Sequence, residues 1–172
     1  MKCIPFVLAF VAAVLAVAVP NHARAQGVTD PCELLTDDEL ESVLDVKVSR
    51  HIGTGDLGSA DRVSCTWVTA VSSQRGTLAI GRGPDGASVQ TQQFVRGLTQ
   101  VGWTVQVQED TPSLWCGQLS PPPTDKGQTL PGPGARCEAV MRGFSFALDV
   151  FSPTATAQKV KALVDILGQR LP

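Results

Sequence analysis

The cysteines constrain this chain more than any other feature. Five occur in 172 residues, and Cys32, Cys65, Cys116 and Cys137 all follow the apolar N-terminal run that contains Cys3. An even number of cysteines in an oxidising compartment is typical of disulfide bonds, and four cysteines allow three pairings. We favour Cys32–Cys65 and Cys116–Cys137, which join near neighbours. Each bond would stabilise the fold by about 3–4 kcal/mol, by lowering the entropy of the unfolded chain.

The N-terminus has the three parts of a secretory leader. Lys2 precedes an uncharged apolar run that ends at Pro20, and the small-residue site Ala23-Arg24-Ala25 follows. This run is shorter than the roughly 20 apolar residues of a spanning helix, which favours a cleaved leader over a membrane anchor. We therefore predict a signal peptide over residues 1–25. Residues 26–172 then form a single secreted domain, with no membrane attachment after cleavage.

The charge of residues 26–172 argues against two classes of partner. Of the 14 basic side chains, 12 remain once Lys2 and Arg24 are removed, against 16 acidic ones, which gives a net charge of -4 without any Lys or Arg cluster. An acidic domain of this kind has no affinity for phosphate backbones, so nucleic acid and anionic membranes are not expected partners. Residues 26–172 also lack Asn and Tyr and contain few Lys. This bias indicates a GC-rich bacterial genome, and hence a periplasmic or extracellular protein.

Hydrophobic periodicity predicts an α+β fold. Thr36-Asp37-Asp38-Glu39 is a capping box for a short helix that ends near Leu44, and helical spacing recurs over Ala87 to Leu98 and over Val160 to Leu171. Alternation indicates strands at Val63–Thr69, Thr77–Gly81, Trp103–Gln108, Cys137–Arg142 and Phe144–Val150. Half-buried strands are typical of antiparallel sheets. We predict a sheet of about five to six antiparallel strands packed by about two to three helices and stapled by disulfides.

A segment rich in proline and glycine, residues 120–134, interrupts this pattern. Its five prolines exclude a helix or an inner strand. The predicted Cys116–Cys137 bond closes the segment at its base, and loops of this length are commonly functional or disordered. The alternatives to a binding loop are a passive insertion and, for the tryptophan beside Cys116, packing against the disulfide. The candidate binding residues are Trp115, Pro122, Pro123, Leu130 and Pro131.

The motifs that carry chemistry are weak. His51 is the only histidine after residue 25, and neither a nucleophile elbow nor a Cys-x-x-Cys pair accompanies it. Residues 53–58 and 81–86 match the Gly-x-Gly-x-x-Gly fingerprint of dinucleotide sites. The strands around them are expected to be antiparallel, however, and Pro84 removes an amide from the second segment. We predict no catalytic residue, no metal site and no cofactor.

The first half of the domain resembles a known family. Pro31-Cys32-Glu33-Leu34-Leu35-Thr36 and Cys65-Thr66-Trp67 are similar to the Pro-Cys-x-Leu-Leu-Thr and Cys-x-Trp motifs of small exported bacterial domains of unknown function, common among actinobacterial lipoproteins. The resemblance covers Asp30 to about Ile80. It implies an antiparallel sheet packed by helices, akin to the PsbP-like sandwich, with Cys32 bonded to Cys65. This chain lacks the lipidation cysteine of the lipoprotein members, so membrane tethering is not carried over.

Three functional hypotheses follow. The first is a non-catalytic domain that binds a protein partner in the cell envelope through Trp115 and the loop at residues 120–134. The second is a small hydrolase or ligand carrier that uses His51 with Asp56 or Asp61 in the Gly-rich loop. The third is an accessory module with neither a pocket nor a fixed partner. A disulfide-closed loop without a catalytic constellation favours the first.

Overall fold

The fold is known from a computed structural model that describes residues 30–56, 62–71, 73–82, 87–123 and 131–171. The predicted leader, Asp61 and Leu130 lie outside these ranges, as do parts of both Gly-rich segments. The helices are α1 (Asp37–Leu44), α2 (Ala87–Gln100) and α3 (Ala157–Arg170), and a short 3₁₀ turn at Pro31–Glu33 precedes α1. The strands are β1 (Val48–Thr54), β2 (Arg62–Thr69), β3 (Arg75–Arg82), β4 (Thr104–Asp110), β5 (Leu114–Ser120), β6 (Gly134–Met141) and β7 (Phe144–Phe151).

All seven strands belong to one antiparallel sheet, in the order β1-β2-β3-β7-β6-β5-β4. The first three strands form a meander, α2 carries the chain to the far edge, and β4 to β7 meander back until β7 pairs with β3. The prediction of a disulfide-stapled α+β fold with an antiparallel sheet is confirmed. The strand count is slightly above the prediction, because β1 and β5 lack the alternation that marked the others.

One face of the sheet carries the main hydrophobic core. Alternate residues of the central strands, such as Cys65, Leu78, Leu148 and Cys137, lie side by side on this face because the strands pair in register. Helix α3 packs across β5, β6 and β7, and α1 packs against α3. The apolar stripe predicted for α3 is confirmed, since all of its members are buried: Val160, Leu163, Val164, Leu167 and Leu171.

Helix α1 begins as its sequence predicts. The Thr36 hydroxyl accepts a hydrogen bond from the amide of Glu39 at 3.3 Å, and Glu39 Oε2 accepts one from the amide of Thr36 at 2.9 Å. Glu39 also receives a forked ion pair from Arg170 at the end of α3, with Nη1–Oε2 at 2.8 Å and Nη2–Oε1 at 2.5 Å. Because Arg170 Nη1 also donates to the carbonyl of Leu34, this guanidinium fastens the last turn of α3 to the first residues of the fold.

The ion pair between Glu39 and Arg170 depends on pH because Glu39 must be charged to form it. Burial alone would raise the pKa of Glu39, but the hydrogen bonds from Thr36 and the charge of Arg170 outweigh burial and lower the pKa below its ordinary 4.5. A carboxyl with a lowered folded-state pKa stabilises the fold above its unfolded pKa, and this contribution disappears as the pH falls through the folded value.

We therefore expect Glu39→Gln to lower the free energy of unfolding at pH 7 by about 0.2–1 kcal/mol, the range of solvent-accessible ion pairs. The difference from the unsubstituted protein should shrink as the pH falls below 4.5 and through the lowered pKa of Glu39. Urea unfolding between pH 3 and pH 7 measures both. Lys47→Gln is a suitable control, because the Lys47 side chain is 81% exposed. A Glu39→Gln deficit that is constant with pH would contradict the assignment.

Helix α2 packs on the other face of the sheet, against β4, β5, β6 and β7. Phe94, Val95 and Leu98, predicted to point inward from α2, are each only half-buried. The reason is that α2 lies above charged side chains and a cleft, which leaves no closed apolar layer on this side. None of the helices in the described part of the chain combines the length and apolarity that a membrane-spanning helix requires.

Candidate ligand-binding cleft

A cleft of about 380 Å³ lies between α2 and the sheet. Helix α2 forms one wall, β4 and the turn into β5 form the other, and β5 and β6 form the floor. Its lining is mainly apolar, and its polar groups come from each of these elements. The lining residues are Thr91, Gln92, Val95, Arg96, Val107, Asp110, Thr111, Pro112, Leu114, Trp115 and Glu138.

Trp115 forms part of the cleft floor and is 7% exposed. Its indole ring lies over Gly117, two residues along the same face of β5, where a Cβ would meet Trp115 Cη2 at 2.6 Å. Glycine at this position therefore gives the ring a flat surface to lie on. The arrangement leaves one side of a large apolar ring next to the cleft, which suits contact with an apolar ligand.

A β-bulge shapes the wall opposite α2. The register between β4 and β5 shifts between Val107 and Glu109, so Val107 pairs with Gly117 whereas Asp110 pairs with Trp115. An extra residue of this kind bends a strand and redirects its side chains. Val107 is 52% exposed and lines the cleft, although the alternation of Trp103, Val105 and Val107 predicted one buried face.

Beneath α2, one cation is shared by two carboxylates. Arg136 Nε donates to Glu138 Oε1 at 2.6 Å and Nη1 donates to Asp149 Oδ2 at 2.6 Å, while the Phe94 ring centroid lies 4.1 Å from the guanidinium carbon. Glu138 is only 2% exposed, and its second oxygen accepts from the hydroxyl of Thr91 on α2. This cluster therefore ties α2 to the sheet beside the cleft.

The cluster carries more negative charge than positive. Burial alone would lower the pKa of Arg136, but the charges of Asp149 and Glu138 raise it, so the guanidinium stays charged. Burial raises the pKa of Asp149, and the charge of Arg136 offsets only part of this effect. Asp149 Oδ1 is buried without a hydrogen-bond partner among the described residues. Arg136 is thus the positive charge that the carboxyl groups of Glu138 and Asp149 share under α2.

The structure does not bring together the binding residues expected around the loop. Trp115 lies near the start of β5, whereas Pro122 and Pro123 follow its end, a separation of roughly 17 Å along the strand. Pro122 lies against Gly102 in the turn between α2 and β4, and Pro131 precedes β6. Of the five candidates, only Trp115 lines the cleft, and Leu130 lies outside the described residues.

Both disulfides have the favoured pairing. Cys32 in the 3₁₀ turn is bonded to Cys65 on β2, and Cys116 is bonded to Cys137 across paired positions of β5 and β6. The second bond lies on the core face under α3, whereas Trp115 points to the opposite face. Trp115 therefore packs on Gly117 and not on the neighbouring disulfide.

His51 on β1 lies at the opposite edge of the sheet from the cleft. Its Nε2 is hydrogen-bonded to Asp37 Oδ1 in the first turn of α1, and its Nδ1 lies 3.9 Å from Cys65 Sγ. The partner of His51 is thus Asp37, which the hydrolase hypothesis did not include. A shallow depression lies at the same edge, lined by Asp30, Gly53, Gly55 and Asp56.

Of the residues that line the cleft, only Trp115 is a binding candidate that sequence patterns indicate. Trp115 was identified, but Val95 and Val107 fitted the periodic patterns and were assigned to the core. Glu138 was part of a weakly alternating strand, and an acidic residue among buried neighbours was the signal that could have marked this face. Comparison of the chain with known proteins gives no match to a family model and no match among curated proteins.

Proposed function

We propose that this protein is a non-catalytic, exported binding domain that holds a small, mainly apolar molecule in the cleft between α2 and the sheet. The observation that carries the proposal is the concave site itself. Its volume of about 380 Å³ lies within the range of small-molecule sites, and Val95, Val107, Leu114 and Trp115 supply apolar walls. A protein partner would require a broader contact than a cleft of this size offers.

The polar groups of the cleft suggest the chemistry of the ligand. Arg96 on α2 and Asp110 on β4 place one positive and one negative side chain at exposed positions of the lining, with the Gln92 amide nearby. A few convergent polar groups in an apolar site orient a ligand. We infer an amphipathic molecule whose apolar part contacts Trp115 and Val107 and whose polar end lies at the rim.

The residues of the cleft favour binding over catalysis. Its lining in the described part of the chain contains no His, Cys, Ser or Lys. Glu138, its most buried acid, already accepts from Arg136 and Thr91. Cys65 is bonded and offers no thiolate to His51. A nucleophile activated by a neighbouring base, as hydrolases require, is therefore not part of this proposal.

The cellular setting is part of the same proposal. Two disulfides are typical of proteins outside the reducing cytoplasm. Together with the leader predicted at residues 1–25, they support export to the periplasm or the extracellular space. Membership of the family of small exported bacterial domains, carried by Pro31–Thr36 and Cys65–Trp67, is proposed on the same basis.

The test is to close the cleft without disturbing the fold. Val107→Arg places a long charged side chain in the cleft, whereas Val71→Arg makes the same change at a residue that is also 52% exposed but lies in the β2–β3 turn. Ligands retained by the exported protein can be extracted with organic solvent and identified by mass spectrometry. We expect Val107→Arg to lower the retained ligand more than tenfold and Val71→Arg to leave it unchanged. Equal retention by the two variants, or no extractable ligand from the unsubstituted protein, would contradict the proposal.

A further inference from the structure

A second chemical cluster lies at the β1 edge of the sheet, far from the cleft. It consists of the Cys32–Cys65 disulfide, His51 and Asp37. The two sulfurs and the Nδ1 atom of His51 all lie within 4.8 Å of one another. The cleft lies over β4, β5 and β6, so at least four strand spacings, roughly 19 Å, separate β1 from its floor.

The hydrogen bonding of His51 directs a lone pair at the disulfide. Asp37 can only accept, so the hydrogen in its bond with His51 belongs to Nε2. In the neutral ring Nδ1 then carries the lone pair, and this atom lies 3.9 Å from Cys65 Sγ. A histidine with one nitrogen on a carboxylate and the other directed at sulfur has the arrangement of a metal ligand supported by its second-shell carboxylate.

We propose that reduction of the Cys32–Cys65 bond converts this cluster into a binding site for one thiophilic metal cation, with Cys32 Sγ, Cys65 Sγ and His51 Nδ1 as ligands. A dithiol reductant supplies the two electrons and two protons that turn the disulfide into two thiols, and is itself oxidised to a disulfide. Binding of a divalent cation such as Zn²⁺ then releases the two thiol protons. The oxidised protein lacks the thiolates and therefore lacks the site.

The spacing of the three atoms suits such a cation. Zn²⁺ binds thiolate at about 2.3 Å and imidazole at about 2.0–2.1 Å, which places tetrahedral ligand atoms roughly 3.5–3.8 Å apart. The distance from Nδ1 to Cys65 Sγ already lies near this range. The two sulfurs must separate, and Cys32, which would move, lies in a short turn that is not fully buried. Three protein ligands leave the fourth position for water.

The surroundings also favour a cation. Asp30 accepts a hydrogen bond from the amide of Cys32, and its carboxylate lies beside Gly53. Asp30 and Asp56 line the depression at this edge, which gives the site an acidic approach from solvent. The other disulfide differs, because Cys116 and Cys137 are both buried and belong to no such cluster among the described residues.

The test uses the full chain with Cys3→Ser, so that only the four cysteines of the fold can react whether or not residues 1–25 are removed. Mild reduction is stopped when peptide mapping shows alkylation of Cys32 and Cys65 alone, and the reductant is removed without oxygen. Zn²⁺ is then titrated against a chromophoric chelator. We expect one equivalent to bind the reduced protein and the affinity of the oxidised protein to be at least a hundredfold lower. His51→Ala should weaken binding at least tenfold.

Two neighbouring acids provide a matched pair of variants. Asp37→Asn should weaken Zn²⁺ binding by about tenfold, the effect of removing a second-shell carboxylate, whereas Asp38→Asn in the same turn should not. If reduction loosens the fold, Zn²⁺ should restore the native tryptophan fluorescence of the parent chain but not that of His51→Ala. The proposal is overturned if reduced protein takes up no Zn²⁺, if uptake does not depend on His51, or if the two Asp variants are equal. These outcomes leave the cleft untested, because none of the substituted residues lines it.

Discussion

Replacing Arg136 with methionine should lower the free energy of unfolding by about 3–5 kcal/mol at pH 7, the usual cost of removing one partner of a buried ion pair. Methionine retains much of the apolar stem, so the change isolates the charge. Glu138 and Asp149 would then be two buried carboxylates without a cation, and both lie beneath α2. Urea unfolding of the two proteins gives the difference.

The pH dependence of this loss distinguishes charge from packing. Removing Arg136 removes the charge that lowers the pKa of Asp149, so burial raises this pKa further and Asp149 takes up a proton in the fold at higher pH than in the unfolded chain. A carboxyl whose pKa is raised in the fold favours the folded state while it is protonated, so the free energy of unfolding is higher at low pH and falls as the pH rises. The deficit of Arg136→Met should therefore shrink between pH 7 and pH 4. A deficit below 1 kcal/mol, or one that does not vary with pH, would show that Arg136 does not hold this cluster.

Asp149→Asn is the matched variant for the same cluster. It removes the excess negative charge and leaves Arg136 with Glu138 as a single counter-ion. Because burial raises the pKa of Asp149, its ionised form is disfavoured in the fold relative to the unfolded chain, and this penalty is absent below the ordinary value of 3.8. We expect Asp149→Asn to destabilise the fold by at least 2 kcal/mol less than Arg136→Met at pH 7.

The second large effect is expected at Gly76, which pairs with Trp67 across β2 and β3. A Cβ at this position would overlap the six-membered ring of Trp67, and both residues are buried in the main core. Neither the backbone of β3 nor the indole can move without displacing the core. Gly76→Ala should therefore cost about 3 kcal/mol in urea unfolding, the upper end of overpacking effects.

Gly117→Ala makes the same change beside the other tryptophan and should give a different result. The added methyl group would meet Trp115 at 2.6 Å, but this ring borders the cleft and can turn into it. We expect less than half the loss of stability seen for Gly76→Ala, together with a more than tenfold loss of retained ligand. Gly97→Ala on α2 is the control, since a Cβ there meets nothing within 4 Å. That variant should gain about 0.5–1 kcal/mol from helix propensity. Equal losses at Gly76 and Gly117 would contradict this account.

The helices and strands that the sequence predicted well are those with one buried face and one solvent-exposed face. Helix α3 shows five apolar residues at helical spacing because its opposite side faces water, and α1 begins with a capping box that needs no tertiary contact. Strand β5 was missed because it is buried on both faces, with Trp115 under α2 and Cys116 under α3. Strand β1 was missed because it is an edge strand with mostly exposed residues, so burial imposes no alternation on it.

The cleft could not be predicted because it depends on the distance between α2 and the sheet. Arg136 and Glu138 bind α2 through Phe94 and Thr91, and these contacts join parts of the chain that are more than 40 residues apart. Val107 satisfies the same alternation as a core residue and keeps regular register with β5, but it lies where α2 leaves the sheet open to the cleft. The bulge that follows it brings Asp110 opposite Trp115. The contacts of His51 with Asp37 and Cys65 likewise follow from the packing of α1 beside β1 and from the diagonal position of Cys65 on β2, and not from sequence spacing.

The three tryptophans provide the most direct measurement of the central claim. Trp115 lines the cleft, Trp67 lies in the core on the opposite face of the sheet, and Trp103 packs edge-on against Phe151. Their indole N–H resonances can be followed by nitrogen–proton correlation NMR while a library of small amphipathic fragments, or the extracted native ligand, is added. We predict saturable shifts of the Trp115 resonance with little change at Trp67, and loss of these shifts in Val107→Arg. Binding that leaves Trp115 unmoved, or a library and extract that move no indole resonance, would contradict the assignment of the cleft as the binding site.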